Sequence, residues 1–329
     1  PTTTRLVTKD GILRRAADDP GAEYGPLPAA AENETSADPT VGEILNRLFA
    51  PGYRDIGDLV PSPKADHIPF LFSLMDMARP RRLVEIGTLR GASFLAMCQA
   101  ASEASFQTEA LAVSGWAVAP ENAADYQNVF ETFAFLVRKY AAFAACLRED
   151  HEKAVYRFAD GSADLLHLDG FLTEEPLRRT LDLWLPKLSE RGVLMLHDTN
   201  ARGGGFGVWR VWEELAASYP ALEFPHAQGL GVACVGSSVP SDLVTLCETI
   251  RRDRHLRVLV HQHFEQTGAM AAELFSRRFD MAQLDARAQS EGAQAEELSW
   301  YRQEVESLRG ENDQLRELLK GGIADAVSG

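Results

Sequence analysis

Apolar positions change their period along the chain. Val41, Ile44, Leu45 and Leu48 recur at helical spacing, and Phe70, Leu71, Leu74, Met75 and Met77 give a second helix over His67–Ala78. The period then shortens. Arg82–Ile86 is a compact strand run that ends in Gly87, and a helix follows from about Gly91 to Ala101. Ala110–Val113, Leu165–Leu168 and Val193–Leu196 predict further strands, and runs near Leu222–Phe224 and Leu230–Val235 close the series. Helical stretches over Asn122–Ala145, Glu174–Leu188 and Val208–Tyr219 separate them. Strands alternating with helices predict an α/β domain with a largely parallel sheet.

The flanks read differently. Residues 1–40 are rich in Pro, Ala, Thr, Asp and Glu without periodicity, so they bury too little apolar surface to offset their ordering entropy and read as a flexible N-terminal tail. Residues 41–240 hold the α/β domain. A helical extension follows over 241–290, and heptads over 291–321 predict a parallel dimeric coiled coil. Leu298, Val305, Asn312 and Leu319 fall at a, and Tyr301, Leu308 and Leu315 at d. Glu297, Glu304 and Glu311 at g match Arg302, Arg309 and Arg316 at e of a partner helix, which predicts a homodimer. An amphipathic helix docked on its own domain satisfies the same pattern.

Composition narrows the function. Hydrophobic residues are 45% and charged residues 25%, as in ordinary globular chains. Lys plus Arg is 33 against 48 Asp plus Glu, a net charge of −15 that argues against nucleic acid as a partner. Arg251, Arg252, Arg254 and Arg257 share their helix with Asp253 and read as a solvated face. Cys98, Cys146, Cys234 and Cys247 form no CxxC pair and read as buried thiols of a reducing compartment. With no apolar run near the roughly 20 residues of a membrane span, the expectation is a cytoplasmic protein.

In open α/β sheets ligands bind beyond the carboxyl ends of the strands. Polar residues gather there: Gly87, Asp169 and Asp198 each follow a strand run. LVEIGTLRGAS, Leu83 to Ser93, is a tight strand-to-helix turn that can bring a ligand to backbone N–H groups, though it does not spell GxGxxG and a turn without a ligand fits equally. Asp169 of LLHLDG and Asp198 of VLMLHDTN can converge on one divalent cation or simply cap the turns that follow. His197 suits a ligand, a base or a packed imidazole; His167, inside an apolar strand, reads as a hydrogen-bonded core residue. Gly203–Gly205 make a mobile loop, and Trp209 and Trp212 pack the next helix on the sheet.

Three blocks in order, VEIGTLRGASFLAMCQA, FADGSADLLHLDG and DLWLPKLSERGVLMLHDTNARGGGFGVWRVWEEL, resemble class I S-adenosylmethionine-dependent methyltransferases over roughly residues 40–240. The resemblance is nearest to the bacterial group associated with glycosyltransferases and surface-polysaccharide synthesis. It implies a Rossmann-like, seven-stranded, mostly parallel sheet with the last strand antiparallel, carrying an N-terminal helical arm and a C-terminal helical extension. By position it implies that Glu85, Gly87, Thr88, Gly91, Ser93 and Ser114 hold S-adenosylmethionine. It implies Asp169, Asp198 and His197 as catalytic residues, with Asp169 and Asp198 holding a divalent cation, Mg2+. The reaction would be attack of a sugar, glycan or small-metabolite hydroxyl on the sulfonium methyl, assisted by the metal, and a glycosyltransferase would be a partner.

The chain also departs from that group. Ser114 stands where the group has an acid for the ribose hydroxyls, Ala117–Glu121 lacks the usual Asp and His, and Leu172 replaces the His of DGxHTYE. Such losses imply an alternative, a catalytically inactive, dimeric scaffold or regulatory partner in glycan assembly. A nicotinamide-linked dehydrogenase is disfavoured, because GxGxxG and an acid at the end of the second strand are both missing.

Overall fold

A computed structural model describes residues 22–27, 40–57, 60, 62, 64–105, 107–116, 123–171, 173–291 and 295–328. The first helix, α1 (Val41–Phe49), starts where the sequence changes character. Thr40 caps it reciprocally: its hydroxyl accepts from the Glu43 N–H, and the Glu43 carboxylate accepts from the Thr40 N–H at 2.7 Å. Then come α2 (Ile68–Ala78), β1 (Arg82–Ile86), α3 (Ala92–Glu103), β2 (Glu109–Val113), α4 (Ala123–Val137), β3 (Ala144–Leu147) and α5 (His151–Ala154). The second half runs β4 (Ala163–Leu168), α6 (Glu174–Trp184), β5 (Leu188–His197), α7 (Val208–Ser218), β6 (Ala221–Phe224) and β7 (Leu230–Cys234).

The seven strands form one sheet in the order β3-β2-β1-β4-β5-β7-β6. The pairs from β3 to β5 are parallel, and β7 runs antiparallel between β5 and β6. Both faces are covered, which is why the strands read as continuous apolar runs rather than alternating ones. Leu83, Leu165, Val193 and Met195 point into the layer that includes Phe70, Leu74, Phe94 and Met97. Val84, Ile86, Leu166, Leu168, Leu194 and Leu196 point the other way, onto Leu177, Trp184, Val211 and Trp212. Strand order, direction and helix placement are those of the class I methyltransferase fold.

Two element boundaries differ from the sequence pattern. The helical stretch expected to reach Ala145 stops at Val137, and Ala144–Leu147 is an edge strand paired with β2. Its Ala-Ala-Cys-Leu sequence lacks the branched residues that signal a strand. β5 begins at Leu188, five residues before the expected strand, with a register shift opposite Ala163–Leu165. Of the N-terminal 40 residues, the described segment 22–27 is held against the turn that leads into β4: the Tyr24 N–H donates to the Arg157 carbonyl at 2.6 Å and its ring stacks on Phe158.

After β7 come α8 (Ser241–Arg252), α9 (Arg254–Glu291) and α10 (Ala295–Ser328). α10 turns back along α9. Leu298 and Val305, the first two a positions, are buried inside the chain. Arg302 lies 3.5 Å from Asp285 of α9, and Arg316 donates to the Arg54 carbonyl at 3.3 Å. Part of the heptad seam is thus covered by the protein's own helices, while Leu315 stays exposed.

Candidate active site

The chain runs outward from β1 to β3 and then restarts at β4 on the other side of β1, so the carboxyl ends of β1 and β4 flank the switch point where such sheets bind ligands. Ile86 is in register with Leu168 there, and the Asp169 N–H donates to the Ile86 carbonyl at 2.9 Å. Gly87 turns with φ +89°, and a Cβ on it would lie 2.0 Å from the Asp169 carbonyl oxygen. The loop can pass this close to β4 only without a side chain. Gly91, at φ +83°, caps α3 with the Phe133 ring against it.

Asp169 and Asp198 come together. Lys64, on the segment before α2, places its ammonium between them, in contact with Asp169 Oδ1 and 3.0 Å from Asp198 Oδ2. Burial opposes the lysine charge, but the two carboxylates outweigh it and hold the Lys64 pKa above its ordinary value. Burial pushes the Asp198 carboxyl up, against the pull of Lys64. Asp198 also sits at φ +63° in the left-handed region, and Ala227 and Gln228, which precede Gly229 opposite it, are left-handed too. Asp198 and Asn200 donate their N–H groups to the carbonyls of Gly229 and Gln228. Such conformations cost energy and persist where surrounding contacts impose them, often at functional sites.

The donor set does not fit a hard cation shared by both carboxylates. The point on which they converge is filled by the chain's own ammonium, which neutralises the pair as a cation would.

The other expected residues lie around this pair. Glu85 and His167 are in register on β1 and β4, and His167 Nδ1 is 2.7 Å from Glu85 Oε2. Thr88 donates its hydroxyl to Glu85 Oε1 at 2.6 Å. Both Glu85 and Thr88 are buried and committed to each other. Ser93 is buried in the first turn of α3. Ser114 follows β2, and its hydroxyl accepts from the Trp116 N–H at 3.4 Å; Trp116 stacks on Phe133 and donates Nε1–H to the Leu89 carbonyl. His167 is the hydrogen-bonded strand residue that the sequence suggested. Trp212 packs on β7, where a Cβ at Gly231 would meet its ring. Trp209 lies between the guanidinium groups of Arg202 and Arg210. Leu172 and 117–122 lie outside the described residues.

Sequence reasoning missed Lys64, and it missed the company of His197. The His197 ring lies 5.0 Å from that of His167 and 5.4 Å from that of His67, which in turn lies 4.5 Å from His226. These residues are tens of positions apart and share no spacing; only the sheet order and the helix before β1 gather them. A cleft of about 510 Å³ is lined by Ser62 and Ala65, which flank Lys64 in sequence, by Arg90 of the β1–α3 turn, and by Phe275 and Phe279 of α9.

The imidazoles set an acid limit to stability. Burial, then the neighbouring His226 ring, lowers His67 to about 3, and burial lowers His197 well below its ordinary value. Protonation is thus resisted in the folded state and free in the unfolded one. Their contribution is complete above the unfolded value of 6.5 and is lost as pH falls from there toward about 3. Buried Asp164, paired with Arg81, contributes in a separate window, above its ordinary 3.8 and lost below it. Urea unfolding should show stability falling between pH 7.5 and 5, with a shallower slope in His67→Phe; equal slopes would contradict this account.

Residues 84–199 match the family model described as a methyltransferase domain. A Sinorhizobium fredii protein, described as uncharacterized protein y4gI, is 38% identical over 185 residues, covering 56% of this chain. The chain spans only 20% of that relative's length. Among solved structures, the Podospora anserina methyltransferase PaMTH1 bound to SAH is 16% identical, over 60% of this chain and 98% of that one, with a TM-score of 0.36. The Streptomyces achromogenes O-methyltransferase TomG, involved in tomaymycin synthesis and in complex with SAM, is 15% identical, over 60% and 91%, with a TM-score of 0.38. The strand order is that of the class I methyltransferase fold, and residues 84–199 are similar to a methyltransferase domain. Among the described residues, no helix is long and apolar enough to cross a membrane.

Proposed function

We propose that the protein is an S-adenosylmethionine-dependent O-methyltransferase acting on a hydroxyl of a sugar, a glycan or a small hydroxylated metabolite. One observation carries the reading: the Gly87 turn and the Asp169–Lys64–Asp198 triad meet at the switch point of a sheet with the class I methyltransferase strand order. The cofactor would lie on the turn from Gly87 to Ser93, with Ser114 at its ribose end. Bound there, it supplies an electrophilic methyl group. The chain's own part is to place an acceptor hydroxyl near that methyl and to receive its proton. Asp198, buried and with its carboxyl pKa raised, suits that acceptor role once Lys64 shifts toward Asp169. Metal assistance, in this reading, requires Lys64 to leave the carboxylates.

The test is calorimetry with S-adenosylmethionine and S-adenosylhomocysteine, then transfer of labelled methyl to a panel of hydroxylated acceptors. The expected outcome is cofactor binding, with transfer falling at least about 100-fold in Asp169→Ala/Asp198→Ala. Absence of binding would overturn the reading.

A second reading, a methyltransferase-like scaffold without turnover, is favoured by one observation. Trp116 and Phe133 stack over Gly91, apolar cover where the β1–α3 turn would receive a ligand. Weak or absent cofactor binding, with no transfer to any acceptor, is its expected signature. Recruitment of a glycosyltransferase belongs with either reading, as does a homodimer through the exposed part of α10. Light scattering with and without residues 290–329 tests the homodimer: the mass should halve on truncation, and an unchanged mass would refute it.

A further inference from the structure

We propose that His167, His197 and Asp169 form a binding site for one borderline divalent transition-metal ion of the Zn2+ or Co2+ type. It differs in ligand chemistry from a two-carboxylate Mg2+ site, and it does not depend on the methyl-transfer reading. One ligand atom from each of the three residues lies within 4.8 Å of the others. His167 and His197 point from neighbouring strands into the same layer, and both are buried, at 0% and 1% exposure.

Three features of this cluster together suit a bound ion. First, among the described residues neither ring nitrogen of His197 has a hydrogen-bond partner, nor does Nε2 of His167. Buried polar atoms are rarely left unpaired, and each one costs free energy unless something fills it. Second, His167 is oriented as metal-bound histidines are. Its Nδ1–H donates to Glu85, Glu85 is held by Thr88, and the ring therefore presents the lone pair of Nε2. Third, Asp169 has an oxygen to spare. Oδ1 accepts from Lys64 and from the Gly170 N–H, while Oδ2 makes no hydrogen bond among the described residues.

Ligands around a tetrahedral ion at roughly 2.0–2.2 Å stand about 3.4 Å apart, so from separations of up to 4.8 Å the three need to close by up to about 1.4 Å. Two imidazoles and one carboxylate favour Zn2+ or Co2+ over Mg2+, which prefers oxygen and retains its water. Three protein ligands leave one position for solvent or an acceptor oxygen. His67 packs on His197, and among the described residues its ring nitrogens have no hydrogen-bond partner either.

The experiment uses the full chain, stripped with chelator and titrated with Co2+ alone and Zn2+ alone. Visible absorption, calorimetry and circular dichroism are the readouts. One equivalent of Co2+ should give tetrahedral d–d bands without thiolate charge transfer, since the four cysteines are buried elsewhere. His197→Ala and Asp169→Asn should each weaken Zn2+ binding about tenfold or more with the fold retained. His255→Ala, at an exposed histidine of α9, should leave it unchanged, and excess Mg2+ should not displace Zn2+. No stoichiometric Co2+ binding by the unaltered chain, thiolate bands, or undiminished affinity in both ligand variants would overturn the proposal. If the variants fail to fold, the spectrum of the unaltered chain decides. Cofactor calorimetry on the stripped chain keeps failure of the metal site distinct from failure of the methyl-transfer reading.

Discussion

Gly87→Ala is expected to lose about 4 kcal/mol or more of folding stability, enough to leave a marginal domain largely unfolded. Two effects add. The residue turns at φ +89°, where any side chain is strained by about 1–2 kcal/mol. Its new methyl group would also stand 2.0 Å from the Asp169 carbonyl oxygen and 2.8 Å from the Asp169 carbonyl carbon. Those are backbone atoms, so no rotamer relieves the overlap; β1 and β4 must separate at their carboxyl ends. Gly161 is the control, at φ +69° with nothing within 4 Å of the place its methyl group would take. Gly161→Ala should show the strain alone, about 1 kcal/mol. Denaturant unfolding of both variants separates the terms, and equal losses would mean that the close approach of the two strands carries no weight. The same contact fixes the position of Asp169, so a partly folded Gly87→Ala chain should also lose whatever the site binds.

The parts of the site that could be read in the sequence are those that strands deliver. A strand run has a visible end, and the residue after that end must lie at the carboxyl edge of the sheet. Gly87, Asp169 and Asp198 are found where that logic puts them. Lys64 could not be found this way. It belongs to an irregular segment between two helices, without a period to reveal its direction, and its role depends on a fold-back over about a hundred residues to Asp169. The histidine cluster was hidden for the same reason: His67, His167, His197 and His226 come from four elements. Local signals also misled where they were weak. Aromatics at helical spacing ran on toward Ala145 and obscured β3, which is short and lacks branched residues. In α10 the heptad was legible, but periodicity tells which face is apolar and not which surface covers it. Here Leu298 and Val305 are buried within the chain, and Arg302 between them lies 3.5 Å from Asp285 of α9.

Lys64→Met isolates the balance of charge on which the site rests. The ammonium stands between two carboxylates, one of them on a deeply buried residue, and removing it leaves two negative charges facing each other. Breaking a buried ion pair from one side costs about 3–5 kcal/mol; partial exposure of Lys64 and Asp169 places the expected loss near the lower end, about 3 kcal/mol near pH 8. The variant should recover part of that loss near pH 5.5. Asp198 already has its carboxyl pKa raised by burial, with Lys64 pulling the other way; without the lysine it rises further and takes up a proton. The intact chain should move in the opposite direction over the same interval, losing stability as the histidines charge in the unfolded state. Mg2+ provides the second arm. A hard cation can occupy the point that the ammonium vacates, so millimolar Mg2+ should raise the melting temperature of Lys64→Met and leave that of the intact chain unchanged. Equal stabilisation of both would show that the lysine does not hold the cation position. A variant as stable as the intact chain near pH 8 would show that the carboxylates do not need its charge.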